Sequence, residues 1–276
     1  MILVTGATGL IGRSIVELLV AEGVKVRAVS RDPGNAGLPE GVEVTGSVAD
    51  GLAGVTAMFL NPRVAGSDAP ELLREAKERG VGKVVVLSAI NVDEPLDHQP
   101  SRLNGDRNRE VEAAVVASGL EWVSLRCAAF AVNTRVAWGA QIRAGDVVRG
   151  PYANFAEAPI HERDVAEVAV RALLSDGLTG RRLGLTGPES LTHAELVTTV
   201  GEVIGRPLTF VEVPPEVVRE RWVAQGMGAE FATALLARYA RGDERSATVT
   251  GDVAEVLGRP ALTWARWVAD NADDFR

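Results

Sequence analysis

An α/β fold built on a doubly wound parallel sheet is predicted by three features of the sequence. A short apolar run, ILVT at residues 2–5, leads directly into glycines at 6, 9 and 12. A stretch over 10–22 follows, with Leu10, Ile11, Ile15, Leu18 and Leu19 at helical spacing. Further apolar runs then alternate with helical periods up to residue 126. Continuous apolar strands separated by helices fit a parallel sheet covered on both faces. Right-handed crossovers wind such a sheet outward in both directions.

The elements follow in order. KVRAVS (25–30) reads as the second strand, VEVTG (42–46) as the third and VTAMFL (55–60) as the fourth. A helix near 68–80 turns Leu72, Leu73 and Ala76 inward and stops at Gly80. KVVVLSA (83–89) is the fifth strand. A helix over 106–118 ends at Ser118-Gly119, and EWVSLR (121–126) is the sixth strand. After about residue 135 the pattern changes to shorter strands, RRLGLTG and LTFVEVP, with helices near 192–204, 214–224 and 229–241. No Gly/Ser linker intervenes. The expected organisation is a nucleotide-binding region at 1–150 and a smaller α/β substrate region at 151–276, packed directly on it with a partly interleaved boundary.

Composition narrows the function classes. The 276 residues carry a formal net charge of −8, which argues against nucleic acid or an anionic membrane as the main partner. Lysine occurs only at 25, 77 and 83, so arginine supplies nearly all the positive charge. The single cysteine, Cys127, excludes an intrachain disulfide. No run approaches the roughly 18 apolar residues of a membrane span. Strand-like residues begin at Ile2 with no signal-like segment before them, so a cytoplasmic protein is expected. His98, His161, His193 and Cys127 are too scattered to suggest a metal site.

The glycines have separable roles. Gly6 falls where the first strand must turn sharply. Gly9 lies where a Cβ would keep a phosphate from the backbone. Gly12 sits in the first helical turn and lets helix and strand pack closely. The free N–H groups and partial positive charge of the helix start then face a pyrophosphate. Strand, glycines, helix and second strand occur in the order that a dinucleotide site requires.

The end of the second strand discriminates between coenzymes. An NAD site places an acidic residue there for the ribose 2′-hydroxyl. Here Ser30 is followed by Arg31, Asp32 and Pro33. An arginine fork suits a 2′-phosphate dianion, which favours NADP(H). The alternative is NAD(H), with Asp32 on the ribose and Arg31 as a solvated charge.

The glycine spacing, TGATGLIG, resembles that of extended and atypical short-chain dehydrogenases/reductases. With SRDP, the VVLSA strand, ASGLEWVSLR and PIHERDVAEVA, the chain resembles the NmrA-like family of that group over residues 1 to about 215. The resemblance implies a Rossmann fold and NADP binding. Members include quinone and azo-dye reductases, and regulators that bind NADP without turning it over. It further implies that Gly6, Thr8, Gly9, Leu10, Ile11, Gly12 and Arg31 contact the cofactor. Asn61 and Pro62 would lie by its ribose, and Ser88 and Ala89 towards the nicotinamide. Two departures stand out. LRCAAFAVN keeps Arg126, Phe130 and Asn133 but has Cys127 where many relatives have proline. Ser47 replaces the acidic residue often found near the adenine.

Catalytic members of the wider group carry Tyr-x-x-x-Lys after the fifth strand, where lysine lowers the tyrosine pKa. Only Tyr152 and Tyr239 exist here, and no lysine follows Lys83. Asn104 and Asn108 occupy the matching positions in LNGDRNREVE. A ketone needs a proton or an oxyanion donor as hydride arrives. A quinone does not, because its product anion is delocalised. The expected activity is therefore NADPH-dependent reduction of a small aromatic or quinone-like acceptor. The alternatives are a non-catalytic NADP sensor and a specialised biosynthetic reductase. Ser88 is the weak catalytic candidate, with bonding to the local backbone as its ordinary alternative. Phe130, Asn133, Trp138 and His161 are candidates for the acceptor pocket. Asp164 reads as the cap of the next helix, and Cys127 as a buried inert thiol. A homodimer or a regulatory protein is the remaining class of partner.

Overall fold

Strand β1 (Ile2–Val4) opens the computed structural model, which describes residues 1–276. Helix α1 (Leu10–Ala21), β2 (Val26–Val29), β3 (Glu43–Thr45) and the short α2 (Val48–Gly51) follow. Next come β4 (Ala57–Leu60), α3 (Pro62–Ala65), α4 (Ala69–Glu78) and β5 (Lys83–Ala89). A 3-10 turn at Pro100–Asn104 precedes α5 (Asn108–Ala117), β6 (Glu121–Cys127) and α6 (Asn133–Ala144). Beyond lie β7 (Val147–Gly150), β8 (Ala156–Glu157), α7 (Glu162–Leu174), β9 (Arg181–Leu185) and β10 (Leu191–Thr192). The chain closes with α8 (His193–Ile204), β11 (Thr209–Glu212), α9 (Pro215–Ala224), α10 (Ala229–Gly242), α11 (Asp252–Leu257) and α12 (Trp264–Asp270).

Seven strands form one parallel sheet in the order β3-β2-β1-β4-β5-β6-β9. Successive side chains point to opposite faces, and both faces are covered. Ile2, Val4, Phe59 and Val85 pack on one side with α1 and α7. Leu3, Met58, Leu60, Val84 and Val86 pack on the other with α4 and α5. This is the doubly wound Rossmann arrangement that the alternating apolar runs predict. Winding reverses between β1 and β4, and ligands bind open α/β sheets in the crevice beyond such a switch point.

The expected strand at 181–187 does not belong to the outer region. It is β9, paired in parallel with β6, and α7 before it lies against α1. Part of the chain after residue 150 thus belongs to the main sheet. The remaining C-terminal elements build a separate small core. There α6, α8 and α12 enclose Trp138, Trp264, Trp267 and Phe275, and the rings of Trp264 and Trp267 stack 5.1 Å apart. Parallel pairing of β11 with β7 closes this layer. The sequence periods identify α8, α9 and α10 to within a residue or two but miss α6, α11 and α12. The helix expected from 106 starts at Asn108, because residues 100–104 form the 3-10 turn. No helix is long and apolar enough to cross a membrane.

Candidate functional site

The glycine turn is built as its sequence demands. Gly6 has φ +64°, a conformation that only glycine adopts at little cost. A Cβ there would also meet the Asn61 side-chain nitrogen at 2.9 Å. At Gly12 a Cβ would stand 2.1 Å from the Gly6 carbonyl oxygen and 2.9 Å from Ala7 Cα. Helix α1 therefore packs against its own incoming turn as closely as backbone permits. Gly9 caps α1 without a side chain, and the amides of Leu10 and Ile11 donate to no backbone carbonyl. That leaves a cradle of free N–H groups at the positive end of a helix of three turns, which fits a pyrophosphate.

Asn61 closes the other side of the switch point. Its N–H donates to Thr5 Oγ1 at 2.7 Å, and that hydroxyl donates to the Phe59 carbonyl at 3.0 Å. The Asn61 side chain caps α3 through the Arg63 N–H at 3.0 Å. The ends of β1 and β4 are thus tied together beside the glycines.

A cleft of about 510 Å³ runs from this cradle across the carboxyl ends of β4, β5 and β6. Its floor beyond β6 is held by α7's approach. Ile160 N–H donates to the Ala129 carbonyl at 2.9 Å, and Ala131 N–H donates to the Ile160 carbonyl at 3.0 Å. Of the lining side chains only Arg63, Asp106 and Cys127 ionise. Arg63 and Asp106 form an ion pair with each other. Burial pushes the Cys127 thiol up, away from the range where it would exchange protons at neutral pH.

Residues 6–176 match the NAD(P)H-binding family. The chain belongs to this family. It is 35% identical, over 100% of this chain and 99% of the other, to the (4-alkanoyl-5-oxo-2,5-dihydrofuran-3-yl)methyl phosphate reductase of Streptomyces griseus. It is 28% identical, over 100% and 99%, to the NAD(P)H azoreductase of Xenophilus azovorans. The NADPH-dependent quinone oxidoreductase of Escherichia coli has the same fold, with a TM-score of 0.82 at 22% identity over 99% of this chain and 100% of that one. The NmrA-like resemblance carried by the motifs agrees with these relatives.

In this NAD(P)H-binding chain, Gly6, Gly9, Leu10, Ile11, Gly12, Asn61, Pro62, Ser88 and Ala89 all line the cleft. Phe130 and Asn133 line it too, as do Asn104 and Asn108 at the positions of the absent Tyr and Lys. Thr8 is exposed outside the lining. Arg31 projects from the loop after β2, exposed and without an ion-pair partner, next to the strand that carries the cradle. Ser47 caps α2, accepting the Asp50 N–H at 3.2 Å.

Two candidates for the acceptor pocket lie elsewhere. Trp138 follows Asn133 by five residues in α6, about 140° around a helix, so the two cannot face the same cleft. Trp138 is buried in the C-terminal core, edge-on to His193 and Phe210. His161 is likewise buried. It, and not Asp164, caps α7, accepting the Arg163 N–H through Nδ1 at 3.2 Å. Asp164 is fully buried one turn in, taking the Leu262 N–H at 2.7 Å and pairing with Arg259.

Ser88 does not bond the local backbone as expected. Its hydroxyl donates to Glu112, a buried carboxylate that also receives Ser124, Arg126 and Arg182. Burial pushes that carboxyl up. Hydrogen bonds from Arg126, Ser88 and Ser124 outweigh it and hold the pKa at about 2. Neither Glu112 nor Phe231, which reaches the cleft from α10, is flagged by the sequence. Glu112 had one available signal, a carboxylate between Val111 and Val115 on the buried side of α5.

Proposed function

We propose that the chain is an NADPH-dependent reductase of a small, electron-poor conjugated carbonyl compound of the quinone or butenolide type. The observation that carries this reading is the cleft itself. It joins a pyrophosphate cradle to an acceptor space whose lining holds no histidine, tyrosine, lysine or glutamate, and whose one aspartate, Asp106, is paired with Arg63. The reduced nicotinamide supplies a hydride, two electrons with one proton. The chain's residues do the rest by binding and positioning. The α1 amides and Gly9 hold the pyrophosphate, Arg31 takes the 2′-phosphate as a charge-assisted fork, and Phe130 and Phe231 wall the acceptor.

An alkoxide forming in such a cleft would need an acid. A conjugated acceptor spreads the product's negative charge over its carbonyl oxygen, so water can deliver the second proton. Asn104 and Asn108 line the cleft, and their amides can donate hydrogen bonds to such an oxygen but cannot ionise. Orientation alone is worth up to about 7–11 kcal/mol of barrier. The acceptors named for the relatives, a butenolide phosphate, an azo compound and a quinone, share this electron-poor π character.

The test follows loss of the nicotinamide absorption band when the protein meets NADPH with a panel of quinones and acyl butenolides. Turnover of conjugated acceptors, with none of simple ketones or alcohols, supports the reading. Tight, selective binding of one redox form of NADP with no turnover of any acceptor would replace it with a sensor.

A further inference from the structure

A second cavity, of about 540 Å³, adjoins the cofactor cleft, and Ala128 and Ala129 line both. One wall is α10, which contributes Arg238 and Arg241, with Arg245 just past its end. The other carries Glu94, His98 and Glu157. These cations are not equivalent. Arg238 donates to Glu157 at 2.9 Å, and its guanidinium lies 5.1 Å from the centre of the Phe155 ring. Glu94 lies 4.0 Å from His98 Nδ1. Arg241 and Arg245 line the cavity and pair with no carboxylate. Asp243 and Glu244, the acids of the same turn, do not line it. Three arginines therefore face two carboxylates, and both unpaired guanidinium groups come from the same end of α10.

Helix α10 also spans the two spaces. Phe231 lines the cofactor cleft, and Arg241, ten residues on, lines the second cavity. Ten helical residues cover about 15 Å. The two cavities meet at Ala128 and Ala129, so a ring seated in the first can carry an arm into the second. Two guanidinium forks suit the terminal oxygens of a phosphate dianion better than a single carboxylate.

We infer that the second cavity is an anion subsite, in which Arg241 and Arg245 hold a phosphate monoester carried on the arm of the reducible acceptor. This rests on the reductase reading and narrows its substrate to phosphorylated acceptors. The reducible ring lies over the floor at Ala128 to Phe130, and the phosphate lies beyond it. The 35% identical Streptomyces griseus relative is named for a phosphate-bearing substrate, which is consistent with this placement.

The experiment compares an acyl-(hydroxymethyl)butenolide with its phosphate monoester as acceptors, in wild type and in the Arg241→Ala/Arg245→Ala double variant. Wild type should prefer the monoester. In the double variant kcat/KM for the monoester should fall about 150-fold or more, chiefly through KM, which is the effect of two lost charge-assisted bonds at about 1.5 kcal/mol or more each. The preference over the free alcohol should collapse. Far-ultraviolet circular dichroism checks that the variant is folded. Equal turnover of monoester and alcohol by wild type would overturn the inference, as would a preference that survives in the double variant. If neither acceptor turns over, the reductase reading fails and calorimetry with phenyl phosphate against phenol still reads the subsite. Uptake of phenyl phosphate alone, lost in the double variant, would uphold it. Equal or absent uptake would overturn it.

Discussion

The hydroxyl of Ser88 donates to the Glu112 carboxylate at 2.6 Å. It shares Oε2 with Ser124, at 2.7 Å, while Arg126 holds Oε1 at 2.6 Å. The end of β5 is thereby tied to α5 and β6 beneath the cleft. A hydroxyl committed to a buried carboxylate is a structural pin. Ser88→Ala should lower kcat by less than about tenfold. A fall above about a hundredfold, the size of a lost general acid, would return Ser88 to the chemistry.

The same network carries a pH dependence of stability. The Glu112 carboxyl is held at about 2, below its ordinary 4.5. A depressed carboxylate stabilises the folded state fully above the unfolded value. That contribution is lost as pH falls from about 4.5 towards 2. Glu112→Gln should cost about 2 kcal/mol at neutral pH, as a charged hydrogen-bonding group is lost. In urea titrations the gap between wild type and variant should close on acidification through that window. A gap that stays constant with pH would remove Glu112 as its source.

Gly12→Ala puts a Cβ into the Gly6 backbone, which has no flexible end to yield. Helix α1 must move off β1, at about 3 kcal/mol or more. Both the denaturation midpoint and NADPH affinity should drop. A variant with both unchanged would mean that the turn is looser than its geometry.

Arg31→Ala tests the choice of coenzyme. Losing the 2′-phosphate fork should weaken NADP binding by about 1.5–3 kcal/mol, roughly 10- to 150-fold. NAD binding should change little. Calorimetry with both coenzymes decides it, and an undiminished NADP preference would assign the 2′-phosphate to other residues.

Cys127 should be silent to alkylating reagents in the native protein, since burial raises its pKa and closes access. Labelling should require denaturant. Rapid native labelling, blocked by NADPH, would instead reveal a thiol open to the cleft.

Much of the cofactor half was legible because its rules are local. A strand, a glycine turn and a helix start are set by backbone sterics within a dozen residues, and they place Gly6 to Gly12 whatever surrounds them. Alternating burial in a two-sided sheet likewise leaves its period in the apolar runs of β1, β4 and β5. The acceptor side was less legible. The sequence offers Phe130 and Trp138 together as acceptor-pocket residues, but α6 starts after Phe130 and turns Trp138 into another core. His161 is a pocket candidate by sequence, yet it is buried and its ring caps α7.

By itself, then, the sequence determined six of the seven sheet strands, the winding, the glycine turn and the absence of a Tyr-Lys acid pair. Tertiary structure alone decided that Ser88 serves Glu112, that Phe231 closes the cleft, and that Arg241 and Arg245 stand unpaired beside it. The physical reason is range. Turn and period signals record what a residue does to its neighbours along the chain. Which side chains meet across two dozen residues or more depends on where α5, α6 and α10 lie against the sheet, and no spacing along the chain encodes those crossings.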